Sequence, residues 1–166
     1  DVLKIARDND IKVIKDCDIH ELRENEIGLS YYDGISWFVI YDDSFSVERS
    51  RFTLAHELGH ILLGHSMVAA RQARTQGIDQ RSGNEREADM FASRLLCPAC
   101  VLWGLDLHTA DEIADYCKVS LQAARIRSER MKVLYERNMF LVSPLEREVY
   151  YNFEEYIRNE RKKRGI

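Results

Sequence analysis

The N-terminal part of the chain carries short apolar alternations rather than helical periods. Ile11 and Val13 mark one brief run, and Ile27, Leu29 and Tyr31 line one side of Glu26–Tyr32. Asp33-Gly34 follows, a pair that readily adopts the positive φ of a hairpin turn. Beyond it Ile35, Trp37, Val39 and Tyr41 alternate with Ser36, Phe38 and Ile40. Both sets are largely apolar, so this run is expected to be covered on both faces. The pattern predicts a small, mainly antiparallel sheet of three strands.

A helical period then takes over. Val47–Leu63 reads as one long helix, with Ser46 as its cap, Glu48 in the positive first turn and Gly64 at its end. Phe52, Leu58, Ile61 and Leu62 form its apolar face. Ser66–Ser82 is polar and aperiodic and reads as a surface loop. A second helix is expected over Gly83–Leu96, stopped by Pro98. Thr109 with Glu112 is a capping box opening a helix to Lys118, and Ser120 opens another to Glu136. Phe140–Val142 is expected as a short strand. Ser143-Pro144-Leu145-Glu146 starts a last helix whose face is Leu145, Val149, Phe153, Tyr156 and Ile157. The expected fold class is α+β: the sheet packs on the long helix, and the C-terminal part is mostly helical.

Composition narrows the class. The 166 residues are 45% hydrophobic and carry a formal net charge of −4, which excludes a disordered chain and a broadly basic nucleic-acid surface. No run approaches the roughly 20 apolar residues of a membrane span. The chain opens at Asp1 rather than Met, so its start reads as trimmed, and no export signal opens it. Four cysteines, Cys17, Cys97, Cys100 and Cys117, are too few for a disulfide framework, so a reducing cytoplasm is the expected compartment. Cys97-Pro-Ala-Cys100 has metal or redox spacing, but no second pair accompanies it, and it reads as the end of a helix. Residues 1–109 hold 12 basic and 18 acidic side chains, whereas 110–166 hold 12 and 10. This suggests a core over 1–109 and a helical layer over 110–166, joined in one compact unit.

His56-Glu57-Leu58-Gly59-His60 is the segment that carries chemistry. Two histidines four apart share a helix face and can hold one zinc ion, with Glu57 in reach of a water as general base. A third ligand is required. Glu85 and Asp89 are also four apart on an expected helix, which suits Glu85 on zinc and Asp89 accepting a hydrogen bond from a ligand histidine. Ala88 and Ala92 are small enough to let two helices approach. Glu87 points about 200° from Glu85 and is the weaker ligand. Structural alternatives stand beside these roles. Ser82 with Glu85 also fits a capping box, Asp89 can pair with Arg86 or Arg94, and the histidines can be hydrogen-bonded core residues. His65 does not have metzincin spacing and reads as a helix-end residue.

Arg51–His65, followed by Glu85–Pro98 and Ala110–Arg127, resembles the ImmA/IrrE metallopeptidase family over about residues 26–130. The resemblance implies a compact zincin-like fold and a cytoplasmic zinc endopeptidase that cleaves a helix-turn-helix repressor of a mobile element or stress locus. By motif match it implies His56, His60 and Glu85 as Zn2+ ligands and Glu57 as the catalytic residue. Cys97 departs from the Met usual there. His20, His108 or a tyrosine are candidate oxyanion donors. A competing class is a metal-containing regulator that binds a repressor or operator DNA without proteolysis. For that class Glu112–Arg127 would be a helix-turn-helix, with Arg125, Arg127 and Arg130 toward phosphates. Five basic and four acidic residues over 110–132 make a weak footprint, so direct DNA binding is not expected. Arg158–Arg164 has five basic residues in seven and reads as a solvated helix end.

Overall fold

The computed structural model describes residues 1–65 and 83–165, so the Ser66–Ser82 loop reading and the cap expected from Ser82 lie outside the described residues. The chain divides into two units, Asp1–Leu95 and Leu96–Ile166.

In the first unit, Asp1 caps α1 (Val2–Asp8) through the amides of Leu3 and Lys4, and Val2 and Ala6 turn inward. β1 (Ile11–Lys15) follows, then a single turn, α2 (Asp16–Ile19), then β2 (Gly28–Tyr32) and β3 (Trp37–Tyr41). The sheet order is β1-β3-β2. β2 and β3 form the expected antiparallel hairpin, with Ser30 opposite Val39. β1 joins the other side of β3 in parallel, with Val13 opposite Val39, so the sheet is mixed. A tight turn fixes the direction of β2 against β3, whereas the long connection from β1 leaves its direction to packing. Val39 and Ile40 are fully buried, so the central strand is covered on both faces. Ile35 is 86% exposed and belongs to the turn rather than the strand. Asp33 takes over there: its Oδ1 accepts from the amides of Ile35 and Ser36.

α3 (Val47–Leu62) packs on β2 and β3. Ser46 caps it by accepting from the Arg49 amide. Its buried face is Thr53, Leu54, Ala55, Glu57, Leu58 and His60, while Leu62 is exposed; the inward stripe lies a step round from the one expected. α4 (Gly83–Leu96) has the expected bounds, with Ala88 and Ala92 fully buried. A Cβ on Gly59 of α3 would stand 3.2 Å from the Ala88 Cα and 3.1 Å from Phe91, so glycine permits this close helix crossing.

The second unit is helical: α5 (Ala99–Gly104), α6 (Ala110–Cys117), α7 (Leu121–Glu136) and α8 (Pro144–Arg164). The Thr109–Glu112 capping box forms, and Ser120 and Ser143 cap α7 and α8. Leu102, Leu105, Leu107, Ile113, Ala124, Met131 and Ile157 make its core. Phe140–Val142 is not a strand. Among the described residues no strand pairs it, and Arg147 donates to the Leu141 and Val142 carbonyls, while Phe140 stacks on Trp103. On α8 only Ile157 of the expected face is buried. Leu145 is 75% exposed, and Tyr150 and Ile157 instead face Gly104. Arg127 is buried and its Nε donates to the Cys97 carbonyl at 2.7 Å, so it braces the core rather than facing a phosphate. Arg161 and Arg164 donate to the carbonyls of Gly104 and Leu105, which ties the basic tail to the negative end of α5. All four cysteines are free thiols. Among the described residues no helix is long and apolar enough to cross a membrane.

Candidate metal centre

α3 places His56 and His60 one turn apart, and their Nε2 atoms lie 3.0 Å from each other. α4 brings Glu85 against both: Oε2 is 3.4 Å from His56 Nε2 and Oε1 is 3.5 Å from His60 Nε2. Among the described residues these three form the one group of side chains placed to hold a metal ion. Ligand atoms set tetrahedrally at about 2.0–2.1 Å from zinc stand about 3.3 Å apart. The three observed edges bracket that value, so the donor set fits a zinc-sized cation.

The outer groups prepare the nitrogens for such a cation. Asp89 Oδ1 is 3.0 Å from His56 Nδ1 and accepts a hydrogen bond from its N–H, which leaves the Nε2 lone pair facing inward in the neutral ring. Two inward lone pairs beside a carboxylate repel one another unless a proton or cation stands between them. The His56 pKa records this demand. Burial lowers it, but hydrogen bonds to Asp89 and Glu85 and the charges of Glu57 and Glu85 outweigh burial and raise it to about 9. In metal-free protein this raised value contributes stability that is complete below the ordinary pKa of 6.5 and lost as pH rises through about 9. Metal must displace the same proton, so apparent metal affinity is expected to fall about tenfold per pH unit below that value. Titration calorimetry at several pH values checks this, and an affinity that is flat in pH contradicts it.

Glu57 is buried, and its Oε2 accepts a 2.7 Å hydrogen bond from the Ser30 hydroxyl on β2. Gly28 makes the approach possible. A Cβ there would lie 2.5 Å from Thr53 Cγ2 and 3.0 Å from Glu57 Oε1, so any side chain would force Thr53 and Glu57 or the strand to shift. Neither residue stood out in the sequence. The signal was the side of β2 away from Leu29 and Tyr31, Gly28-x-Ser30, for which alternation marks no role and which is in fact buried.

His65 is also buried. Its Nδ1 lies 3.0 Å from His60 Nδ1, and its Nε2 lies 3.2 Å from Glu87 Oε2. His20 is exposed at the end of α2, and His108 lies in the second unit, 2.8 Å from Asp106.

The sequence model of the IrrE N-terminal-like domain, peptidase M78, matches residues 13–129. The chain belongs to this family. The M78 match contains every site residue named above, from Gly28 on β2 to Asp89 on α4, and the family points to a zinc metallopeptidase-like domain. It stops short of α8, so the M78 relationship does not account for that helix or its basic end. No curated protein matches the chain.

Proposed function

We propose that this chain is a zinc endopeptidase, with His56, His60 and Glu85 as ligands, Glu57 as general base and Asp89 as the outer partner of His56. The observation that carries the reading is the triangle of two imidazole nitrogens and a carboxylate oxygen, 3.0–3.5 Å on a side, with a buried glutamate next to its first histidine. Bound zinc supplies Lewis acidity toward a peptide carbonyl and lowers the pKa of coordinated water to about 7. Glu57 takes the proton of the attacking water and returns it to the leaving amine. Ser30 holds one Glu57 oxygen, which leaves the other for the proton.

The proposed substrate is a helix-turn-helix repressor met in the cytoplasm, whose cleavage relieves repression of a mobile element or stress locus. The family resemblance supports this choice. The peptidase site falls in residues 1–109, with 110–166 as a helical layer that requires no DNA contact. Incubation with candidate repressors, with zinc or chelator, read by intact mass, tests the proposal. Zinc-dependent fragments are expected. Capture of a repressor with no cut would replace the peptidase with a binding module.

Ser30→Ala should lower kcat by about 10–100-fold, the worth of one hydrogen bond to a charged group, with zinc affinity unchanged. Unchanged kcat would remove Ser30 from the machinery.

A further inference from the structure

His65 sits where the end of α3 puts it. Gly64, at φ +70°, turns the chain back after Leu63. The amide of Gly64 then donates to the Ile61 carbonyl and that of His65 to the His60 carbonyl at 2.9 Å. This is the paired bonding of a Schellman end, which normally seats an apolar side chain against the residue five positions back. Here both positions are histidines, and the ring centroids lie 5.1 Å apart at 72°. An apolar pair would satisfy the packing equally well, so the polar pair calls for another reason.

Proton accounting supplies it. For His60 to aim a bare Nε2 at the ligand triangle, its proton must be on Nδ1. That Nδ1 faces His65 Nδ1 at 3.0 Å, so His65 accepts there and carries its own proton on Nε2. The Nε2–H in turn points to Glu87 Oε2 at 3.2 Å. His65 has no nitrogen left to bind metal, and it is absent from the ligand group.

We propose that His65, backed by Glu87, is the positioning residue for His60, as Asp89 is for His56. One helix, α4, thus carries the metal-facing carboxylate and an outer carboxylate for each imidazole: Glu85, Glu87 and Asp89. The Glu87 end is 59% exposed, so its charge is screened and the larger share of the effect belongs to the His65 ring. This inference rests on the metal-site reading above and deepens it.

The test uses the whole chain and three readouts besides activity: zinc affinity by chelator competition, the visible spectrum of the cobalt-substituted protein, and thermal melting without metal. His65→Leu keeps an apolar Schellman contact but offers no acceptor. Zinc affinity should fall about 10–100-fold, as for loss of an outer partner, and the cobalt bands should shift. His65→Asn offers an acceptor near the Nδ1 position and should recover most of both. A purely structural His65 would lower metal-free melting while leaving zinc affinity and the cobalt spectrum unchanged, and that result overturns the proposal. Nitrogen-15 NMR of the zinc-loaded wild type needs no variant. A His65 protonated on Nε2 and bare on Nδ1 supports the relay, and the opposite tautomer overturns it. His56→Ala separates the two levels: if it binds zinc as the wild type does, the metal site itself is wrong and the relay falls with it.

Discussion

Glu57→Gln is expected to leave a protein that folds, binds zinc as tightly as the wild type and no longer cuts the proposed repressor substrate. The amide keeps the length of the side chain and can still accept from Ser30 Oγ through its oxygen, so the packing of β2 on α3 survives. What disappears is the ability to take a proton. General-base catalysis contributes about 10²–10⁴-fold, and loss of cleavage in that range is expected. Glu57 is not among the three residues grouped to hold metal, so zinc stoichiometry should stay at the wild-type value. Paired measurement of zinc content and of repressor cleavage by intact mass decides the matter. Undiminished cleavage would exclude Glu57 as the base. Loss of zinc would mean that the carboxylate belongs to the metal site instead.

The second large effect concerns the metal and the fold together. A cation that binds only the folded state stabilises it by about 2.7 kcal/mol when present at a hundred times its dissociation constant. For a chain of this size that amounts to about 5–10 °C in melting temperature. Zinc should produce this rise in the wild type and in Glu57→Gln, and chelator should reverse it. His56→Ala, His60→Ala and Glu85→Ala should each lose it, because each removes one corner of the triangle. The variants need not resemble one another without metal. His60 is buried and hydrogen-bonded to His65, so its loss also opens a cavity, whereas Glu85 is part exposed and its removal takes away a hydrogen bond and a charge that favour protonated His56. A zinc-induced rise that survives in Glu85→Ala would place the third ligand elsewhere.

Parts of this centre were visible in the chain because they depend on helix geometry alone. Four-residue spacing stacks His56 on His60 and Glu85 near Asp89 in any helix, and the helix limits follow from Ser46, Gly64 and Pro98. The parts that were missed depend on which face an element buries. Alternation puts Ser30 on the side of β2 away from Leu29 and Tyr31 and marks no role for it, yet α3 covers that side and makes Ser30 the partner of Glu57. The same cause misled the reading of α8. Its apolar stripe from Leu145 to Tyr156 is real, but the packing surface beside Gly104 selects Tyr150 and Ile157. Arg127 faces phosphates only in the DNA-binding alternative, whereas here its Nε donates to the Cys97 carbonyl inside the core.

His65 lies between these cases. Gly64 as the residue after the helix end already implies that position 65 folds back on position 60, so the contact was present in the spacing of Gly64 and His65 behind the second motif histidine. That Glu87 would meet the far nitrogen was not, since Glu87 faces away from Glu85 on its own helix. The sequence by itself determined the fold class, the helix carrying the two histidines and the identity of the candidate ligands, because caps, turns and periodicity are local and act over a few residues. The tertiary structure alone decided the parallel pairing of β1 with β3, the burial of Ser30 against Glu57 and the placing of Glu87 behind His65. Those features come from surfaces that meet across long stretches of chain, where packing and desolvation outweigh any local preference.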